Sequence, residues 1–96
     1  MAKGYWITIY HAVSDPARLA RYAAEATPVL EAAGGRILAR GASARTLEGT
    51  PNQRTVVIEF ESVARAVAAY ESPGYQAALV GLKGAVEREV RIVEGV

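Results

Sequence analysis

Four segments of the chain place β-branched, aromatic or other apolar residues at a spacing of two, which is typical of strands. The loop before the third strand, residues 41–53, is rich in Gly, Pro, Ser and Asn, and only residues 46–48 favour a short extended piece. The four predicted strands are Tyr5 to His11, Arg36 to Arg40, Arg54 to Glu61 and Val86 to Val93.

Between the first two strands, apolar residues recur at the spacing of an amphipathic helix. Asp15 followed by Pro16 predicts the start of this helix, because Asp caps a free backbone N–H and Pro suits the first helical position. Pro28 lies inside the pattern and removes a backbone donor. We therefore expect a bend or a break near Thr27, with the helix ending at Gly34.

Two shorter helices are predicted between the third and the last strand. Ser62 is a good cap for the first of them, which carries an apolar stripe as far as Tyr70. Ser72 and Pro73 then restart a second helix, which we expect to end at Gly84.

The resulting order, βαββαβ, predicts an α+β fold of the ferredoxin-like type, with a four-stranded antiparallel sheet and the helices on one face. At 96 residues the chain suits a single domain, residues 1–96. The most apolar alternating set is assigned to the helix-covered face. That set is Ile7, Ile9, Ile37, Val56, Ile58, Phe60, Val90 and Ile92.

The opposite face of the sheet then carries large apolar side chains without a helix to cover them. A patch of this kind is larger than a monomer usually exposes, so we expect a second copy of the chain to cover it. The residues assigned to this face are Trp6, Thr8, Tyr10, Arg36, Leu38, Arg40, Thr55, Val57, Glu59, Arg91 and Val93.

Composition narrows the possible partners. The chain has no cysteine and one histidine, which disfavours disulfides and metal sites. Its 11 basic and 10 acidic residues give a net charge of +1, a poor match to nucleic acid. No apolar run is long enough to cross a bilayer, and the first residues do not form a secretory signal. We expect a cytoplasmic protein without metal or cofactor, and no membrane or nucleic-acid partner.

Several short segments, which together span nearly the whole chain, carry a resemblance to a known family: Lys3 to Trp6, Ser14 to Pro16, Gly34 to Arg36, Leu38 to Gly41, Arg54 to Phe60, Ser72 to Gln76 and Val90 to Gly95. In these segments the chain resembles the domain-of-unknown-function family 1330, in the dimeric α/β-barrel superfamily. The resemblance implies two ferredoxin-like protomers that pack sheet against sheet. It supplies no catalytic residue, because the superfamily includes cofactor-free oxygenases, lactone isomerases, heme enzymes and amino-acid-sensing regulatory domains.

Two residues are candidates for chemistry. His11, the one imidazole, ends the first strand, where its side chain can reach the mouth of a pocket, although a surface histidine fits the same position. Glu59 is a carboxylate in an otherwise apolar strand, so burial requires a partner or a raised pKa. An ion pair with Arg36, Arg40 or Arg91 is the structural alternative to a catalytic role.

Several further residues are candidates for holding a ligand. Arg36 and Arg40 could bind an anionic group, and Trp6 and Tyr10 could form an aromatic wall. Tyr70 and Tyr75 flank a Ser-Pro-Gly turn and could close over the end of the sheet, although aromatic residues at helical spacing are more often core.

Two functions remain open from the sequence. One is a homodimer that binds a small acidic or aromatic metabolite, either as a binding protein or as an enzyme that needs no cofactor. The other is a non-catalytic dimeric interaction or regulatory module. A pocket of some hundreds of Å³ that reaches Glu59 or His11 favours the first, and a solidly packed interface favours the second. The sequence does not identify the ligand, the reaction or any assembly beyond a dimer.

Overall fold

The structure, a computed structural model, describes residues 2–96. Four strands and three helices follow one another in the predicted βαββαβ order, with the last crossover divided into two helices, and the ferredoxin-like fold is confirmed. The elements are β1 (Gly4–Val13), α1 (Pro16–Ala32), β2 (Arg36–Ala42), β3 (Arg54–Phe60), α2 (Val63–Glu71), α3 (Pro73–Val80) and β4 (Val86–Glu94).

The strands form one antiparallel sheet in the order β2-β3-β1-β4. In the centre, Trp6 of β1 lies opposite Ile58 of β3 and Ile92 of β4. The register shifts twice, between Tyr10 and Ala12 in β1 and after Ile37 in β2. Such irregularities change which face the following side chains occupy.

Helix α1 begins as its sequence predicts, since the Asp15 carboxylate accepts a hydrogen bond from the Arg18 backbone N–H at 3.2 Å. The helix then runs without interruption through Pro28, so the predicted break is wrong. Pro28 and Ala24 both lie on the solvent side of the helix. The carbonyl freed by the proline therefore faces water, which is the position where a helix tolerates the lost hydrogen bond best.

Two serines place α2 and α3. The hydroxyl of Ser62 accepts from the Arg65 backbone N–H at 3.1 Å, and the hydroxyl of Ser72 accepts from the Tyr75 backbone N–H at 3.4 Å. Ser72 follows the last residue of α2 and is also the N-cap of α3. The sequence predicted this cap. Helix α3 ends at Val80, earlier than expected, and residues 81–85 form turns that lead into β4.

The two faces of β1 are the reverse of those predicted. Trp6, Thr8 and Tyr10 are 1%, 2% and 5% exposed and face the helices, whereas Ile7 and Ile9 are half-buried on the other side. Both faces of this strand are apolar, so alternation alone does not select between them. The space beneath the helices suits the large aromatic rings, which pack against the core of the molecule.

The remaining strands mostly follow the prediction, with their expected apolar residues packed against the helices. Arg40 is the exception, because the irregularity after Ile37 turns it to the helix-covered face, where it meets Thr27 of α1. Residues 46–48 do not form the expected extended piece, and residues 47 and 48 lie in bends. We call the other side of the sheet the open face. Its side chains are Tyr5, Ile7, Ile9, Arg36, Leu38, Ala39, Thr55, Val57, Glu59, Glu89, Arg91 and Val93.

Candidate functional site

A guanidinium and three phenols meet between the sheet and the helices, and we call them the Arg–Tyr cluster. Arg88 of β4 donates hydrogen bonds to the hydroxyls of Tyr10 (3.2 Å), Tyr22 (3.4 Å) and Tyr75 (3.1 Å). The hydroxyls of Tyr22 and Tyr75 lie 2.5 Å apart. The four residues come from β4, β1, α1 and α3, so the cluster depends on the packing of the whole domain.

The strand pairing explains why Arg88 points inward. Arg88 lies directly opposite Tyr10, two positions before Val90 and four before Ile92, which both pack against the core. Side chains at this spacing share one face of a strand. The guanidinium carbon lies 5.6 Å from the Tyr10 ring centre and 5.2 Å from that of Tyr22, distances at which an aromatic face stabilises a cation.

Arg88 has no carboxylate partner among residues 2–96. The three ion pairs in that range join Glu61 to Lys3 and Glu89 to both His11 and Arg91. Guanidinium remains charged at any physiological pH. The side chain is half-buried, so its positive charge is balanced only by neutral phenols and aromatic faces. An arrangement of this kind favours an anion as an additional partner.

Tyr10 and Tyr75 remain protonated at neutral pH. Burial raises the pKa of Tyr10 and of Tyr75, and for both residues the nearby Arg88 cation offsets only part of that effect. One phenol proton lies between Tyr22 and Tyr75. The other two phenol protons of the cluster have no protein acceptor within the described part of the chain. The cluster is therefore rich in donors and poor in acceptors.

A small space beneath α1, which we call the inner cavity, adjoins this cluster. Its volume is about 40 Å³. That is room for a carboxylate group or about two or three water molecules. Thr8 contributes a hydroxyl, which accepts from Trp6 Nε1 at 2.8 Å and keeps its own proton for another partner. The lining is Trp6, Thr8, Tyr10, Leu19, Tyr22, Ala23, Ala26, Thr27, Leu30, Ile37, Arg40, Arg54, Val56, Ile58 and Arg88.

Three arginines line the inner cavity: Arg40, Arg54 and Arg88. Among the described residues that line it, none is acidic. Arg40 Nη1 donates to the Thr27 hydroxyl at 3.4 Å, a neutral acceptor. The inner cavity therefore has a positive potential, and its walls are otherwise apolar or neutral.

A larger depression, the outer groove, lies on the other side of Arg88, beside α3 and the start of β4. Its volume is about 710 Å³, within the range of small-molecule sites. Arg88 is the residue that lines both spaces. The outer groove is lined by His11, Gln76, Leu79, Val80, Leu82, Lys83, Gly84, Val86, Glu87 and Arg88.

The structure separates the predicted ligand-binding residues. Trp6, Tyr10 and Arg40 line the inner cavity. Tyr75 belongs to the Arg–Tyr cluster, and Tyr70 packs against Trp6 and Tyr75 with ring centres 5.6 Å and 5.2 Å apart. Of the predicted set, Arg36 lies outside the site. It is on the open face, opposite Glu59.

The two candidates for chemistry also lie apart. His11 is exposed and borders the outer groove, and its ring bonds Glu89 (2.6 Å) and Gln53 (3.2 Å). Glu59 lies on the open face and accepts a hydrogen bond from the Tyr5 hydroxyl at 3.0 Å. The expected ion pair between Glu59 and an arginine does not form among the described residues, because Arg40 faces the helices and Arg91 pairs with Glu89.

Four residues of the site escaped the sequence reasoning: Thr8, Tyr22, Arg54 and Arg88. The signal for Arg88 was present, because the inward positions Val90 and Ile92 extend back along β4 to residue 88. An arginine at an inward strand position is unusual and marks a site. Tyr22 and Arg54 carry no comparable local signal, since each fits an ordinary helix stripe or strand start.

Within residues 2–96, no three histidine, aspartate or glutamate side chains come together in a way that could hold a metal ion. No helix in the same range combines the length and the apolar character needed to cross a bilayer.

The fold is shared with solved structures of low sequence identity. A protein of unknown function from Rhodopseudomonas palustris is 19% identical, with 99% of this chain and 83% of that chain covered and a TM-score of 0.76. A NIPSNAP family protein of unknown function from Agrobacterium tumefaciens is 19% identical, over 98% and 88% of the two chains, with a TM-score of 0.65. At this identity the likeness shows the fold alone.

A proposed antibiotic biosynthesis monooxygenase from Nitrosomonas europaea is 16% identical, over 100% of this chain and 93% of that chain, with a TM-score of 0.63. No curated protein matches the chain. The model of the domain-of-unknown-function family DUF1330 matches residues 3–96, which confirms the family that the sequence motifs indicated. The chain belongs to the DUF1330 family.

Proposed function

We propose that this protein binds a small organic acid, with the carboxylate against Arg88. The observation that supports this function is the half-buried guanidinium of Arg88, whose hydrogen-bond partners are three neutral phenols. A bound carboxylate accepts the forked donors of a guanidinium in two parallel hydrogen bonds, the strongest neutralisation available to it.

The surrounding groups favour the same ligand chemistry. Arg40 and Arg54 add positive charge to the inner cavity, and protonated phenols donate hydrogen bonds to an anion. A cationic ligand meets repulsion from three arginines there. A neutral ligand leaves the charge of Arg88 uncompensated.

Binding is favoured over catalysis by the composition of the inner cavity. Proton abstraction requires a base within hydrogen-bond reach of the reacting atom. The described lining of the inner cavity contains no carboxylate and no imidazole. Burial raises the pKa of Tyr10, which lines the inner cavity, so this phenol does not act as a base near neutral pH. A ligand held here is positioned and neutralised rather than deprotonated.

The test is calorimetric titration of the protein with acetate, benzoate and succinate. We expect at least one of the three to bind and Arg88→Met to weaken that binding at least about tenfold, because a charge-assisted hydrogen bond is lost. Arg88→Lys keeps the charge without the fork and should give an intermediate affinity. Arg65→Met is the matched control, since Arg65 is exposed on α2 and lines none of the spaces described above. Equal affinities in all four proteins contradict the proposal.

We further propose that the open face forms a homodimer interface. Ile7, Ile9 and Val57 form its apolar centre, and Leu38 and Val93 are 47% and 48% exposed at its sides. Two carboxylates of this face have partners within the chain, since Glu89 pairs with Arg91 and contacts His11, and Glu59 accepts from the Tyr5 hydroxyl. An apolar centre beside carboxylates that already have partners matches the surface of a second identical copy.

Sedimentation equilibrium tests the dimer. We expect twice the chain mass at low micromolar concentration, and a monomer under those conditions contradicts the proposal. The dimer and the acid site use opposite faces of the sheet, so each proposal stands or falls on its own measurement.

A further inference from the structure

We infer that the acid bound at Arg88 carries an apolar body, and that this body lies in the outer groove. The inference rests on the proposed function and names the class of ligand: a monocarboxylate with a hydrocarbon chain or ring.

The sizes of the two spaces lead to this class. The inner cavity, about 40 Å³, accepts a carboxylate head group but not the body of a metabolite. The outer groove, about 710 Å³, accepts that body. Arg88 borders both spaces, so one ligand can place its head group at the guanidinium and its body outside it.

The chemistry of the outer groove matches an apolar body. Leu79, Val80, Leu82 and Val86 form its apolar lining. Val80 is 74% exposed, although a valine on the surface gains free energy when a ligand covers it. Exposure of a single valine is ordinary, but this one borders a concave surface that leads to an unpaired cation.

The polar residues of the groove disfavour a second negative charge on the ligand. Glu87 is the acidic residue of the described lining, and it is exposed. Lys83 also lines the groove, so the distal carboxylate of a dicarboxylate meets one acidic and one basic side chain there and loses its hydration without a net attraction. A single carboxylate at the Arg88 end avoids this desolvation cost.

Hydrogen bonds from Arg18 of α1 and from Ser14, just before α1, hold the turn segment 81–85, which forms part of the outer groove. Arg18 donates from Nε to the Gly81 carbonyl at 2.9 Å and from Nη2 to the Lys83 carbonyl at 2.6 Å. Ser14 donates its backbone N–H to the Ala85 carbonyl at 2.8 Å. The turn segment 81–85 is therefore fixed before a ligand arrives, which lowers the entropy cost of binding.

The experiment is a chain-length series. Titration with acetate, butanoate, hexanoate and octanoate measures affinity as methylene groups are added. Each methylene that is fully buried should tighten binding about fourfold, and a half-buried one about twofold. We expect a steady increase along the series in the wild-type protein, and succinate should bind more weakly than butanoate.

Val80→Ser locates the body of the ligand. The exposed position tolerates serine without a loss of fold, so the variant changes only the groove surface. We expect the gain from butanoate to octanoate to fall at least about twofold in Val80→Ser. Val67→Ser is the matched control, since Val67 is a valine on α2 that is 38% exposed and does not line the groove.

The outcomes distinguish the two proposals. If none of the acids binds, including acetate, benzoate and succinate, the acid-binding function itself is wrong. If short acids bind through Arg88 but affinity does not rise with chain length, the function stands and the apolar body is wrong. If affinity rises with length equally in Val80→Ser and Val67→Ser, the body lies elsewhere and its placement in the outer groove is wrong.

Discussion

The covered face and the open face of the sheet differ in the partners of their charged side chains. Two adjacent residues of β4 show the difference. Arg88 points to the helices and bonds three neutral phenols. Glu89 points to the open face, where Arg91 and His11 both donate to it. Among the described residues, Glu89 on the open face thus has basic partners, whereas Arg88 on the covered face has no acidic partner.

This difference indicates what each face is suited to. A buried charge without an ionic partner is costly, and side chains that serve only packing rarely retain it. The covered face therefore has the character of a binding site. The open face combines the paired Glu89 with half-buried isoleucines and an exposed valine and leucine, which is the character of an interface.

The largest expected effect tests which face of β1 is covered. Trp6→Ala should lower the free energy of unfolding by about 3–5 kcal/mol, because Trp6 is 1% exposed and its loss leaves a cavity. Ile7→Ala should cost less, since Ile7 is half-buried on the open face. Urea unfolding measures both. Equal costs at every protein concentration contradict the face assignment.

The next effect tests the open face as an interface. Val57→Lys places a charge at its apolar centre, next to Ile7 in the register, and should convert a dimer to a monomer at a cost of several kcal/mol of association free energy. Val67→Lys on α2 is the control and should remain dimeric. Sedimentation equilibrium distinguishes the two, and a dimeric Val57→Lys protein shows that the copies associate elsewhere.

A smaller effect tests whether Glu59 on the open face contributes to acid binding at Arg88 on the covered face. Glu59→Gln keeps an acceptor for the Tyr5 hydroxyl and strands no arginine, so the melting temperature should change by less than about 4 °C. Acid binding at Arg88 should be unchanged. A thermal melt and a titration with butanoate check both statements. Weakened binding would restore Glu59 as a functional residue.

The smallest effect is a pH dependence. Hydrogen bonds from Arg91 and His11 hold the pKa of Glu89 below its usual value. The stabilisation is therefore complete above the ordinary glutamate pKa of about 4.3 and is lost as the pH falls through the lower native value. Wild type should melt higher than Glu89→Gln at pH 7, and the difference should shrink as the pH falls below about 4.3. A difference that persists at low pH contradicts this cause.

The sequence by itself determined the order and the type of the elements. Caps at Asp15, Ser62 and Ser72 and the alternation of β3 and β4 are local features, and local interactions decide them. The family also followed from short motifs distributed along the chain. Of the candidate site, Trp6, Tyr10, Tyr75 and Arg40 were recognised from the sequence, whereas Tyr22 and Arg88 were not.

Only the tertiary structure decided the phase of β1 and the face of Arg40, whereas Glu59 lies on the face that the sequence predicted. Both faces of β1 are apolar, so its phase depends on which side chains fill the space beneath the helices. The irregularity in β2 that turns Arg40 arises in pairing with β3 and is not visible in the sequence of either strand. The same irregularity places Arg40 and Glu59 on opposite sides of the sheet.

The Arg–Tyr cluster is the clearest case of a tertiary feature. Its members come from four elements, and Arg88 and Tyr10 are 78 positions apart in the chain. Each residue alone suits its own helix or strand, and Arg88 looks like one more charge in an alternating strand. The site exists because packing places one cation among three phenols without an acid, and that property belongs to no segment of the sequence.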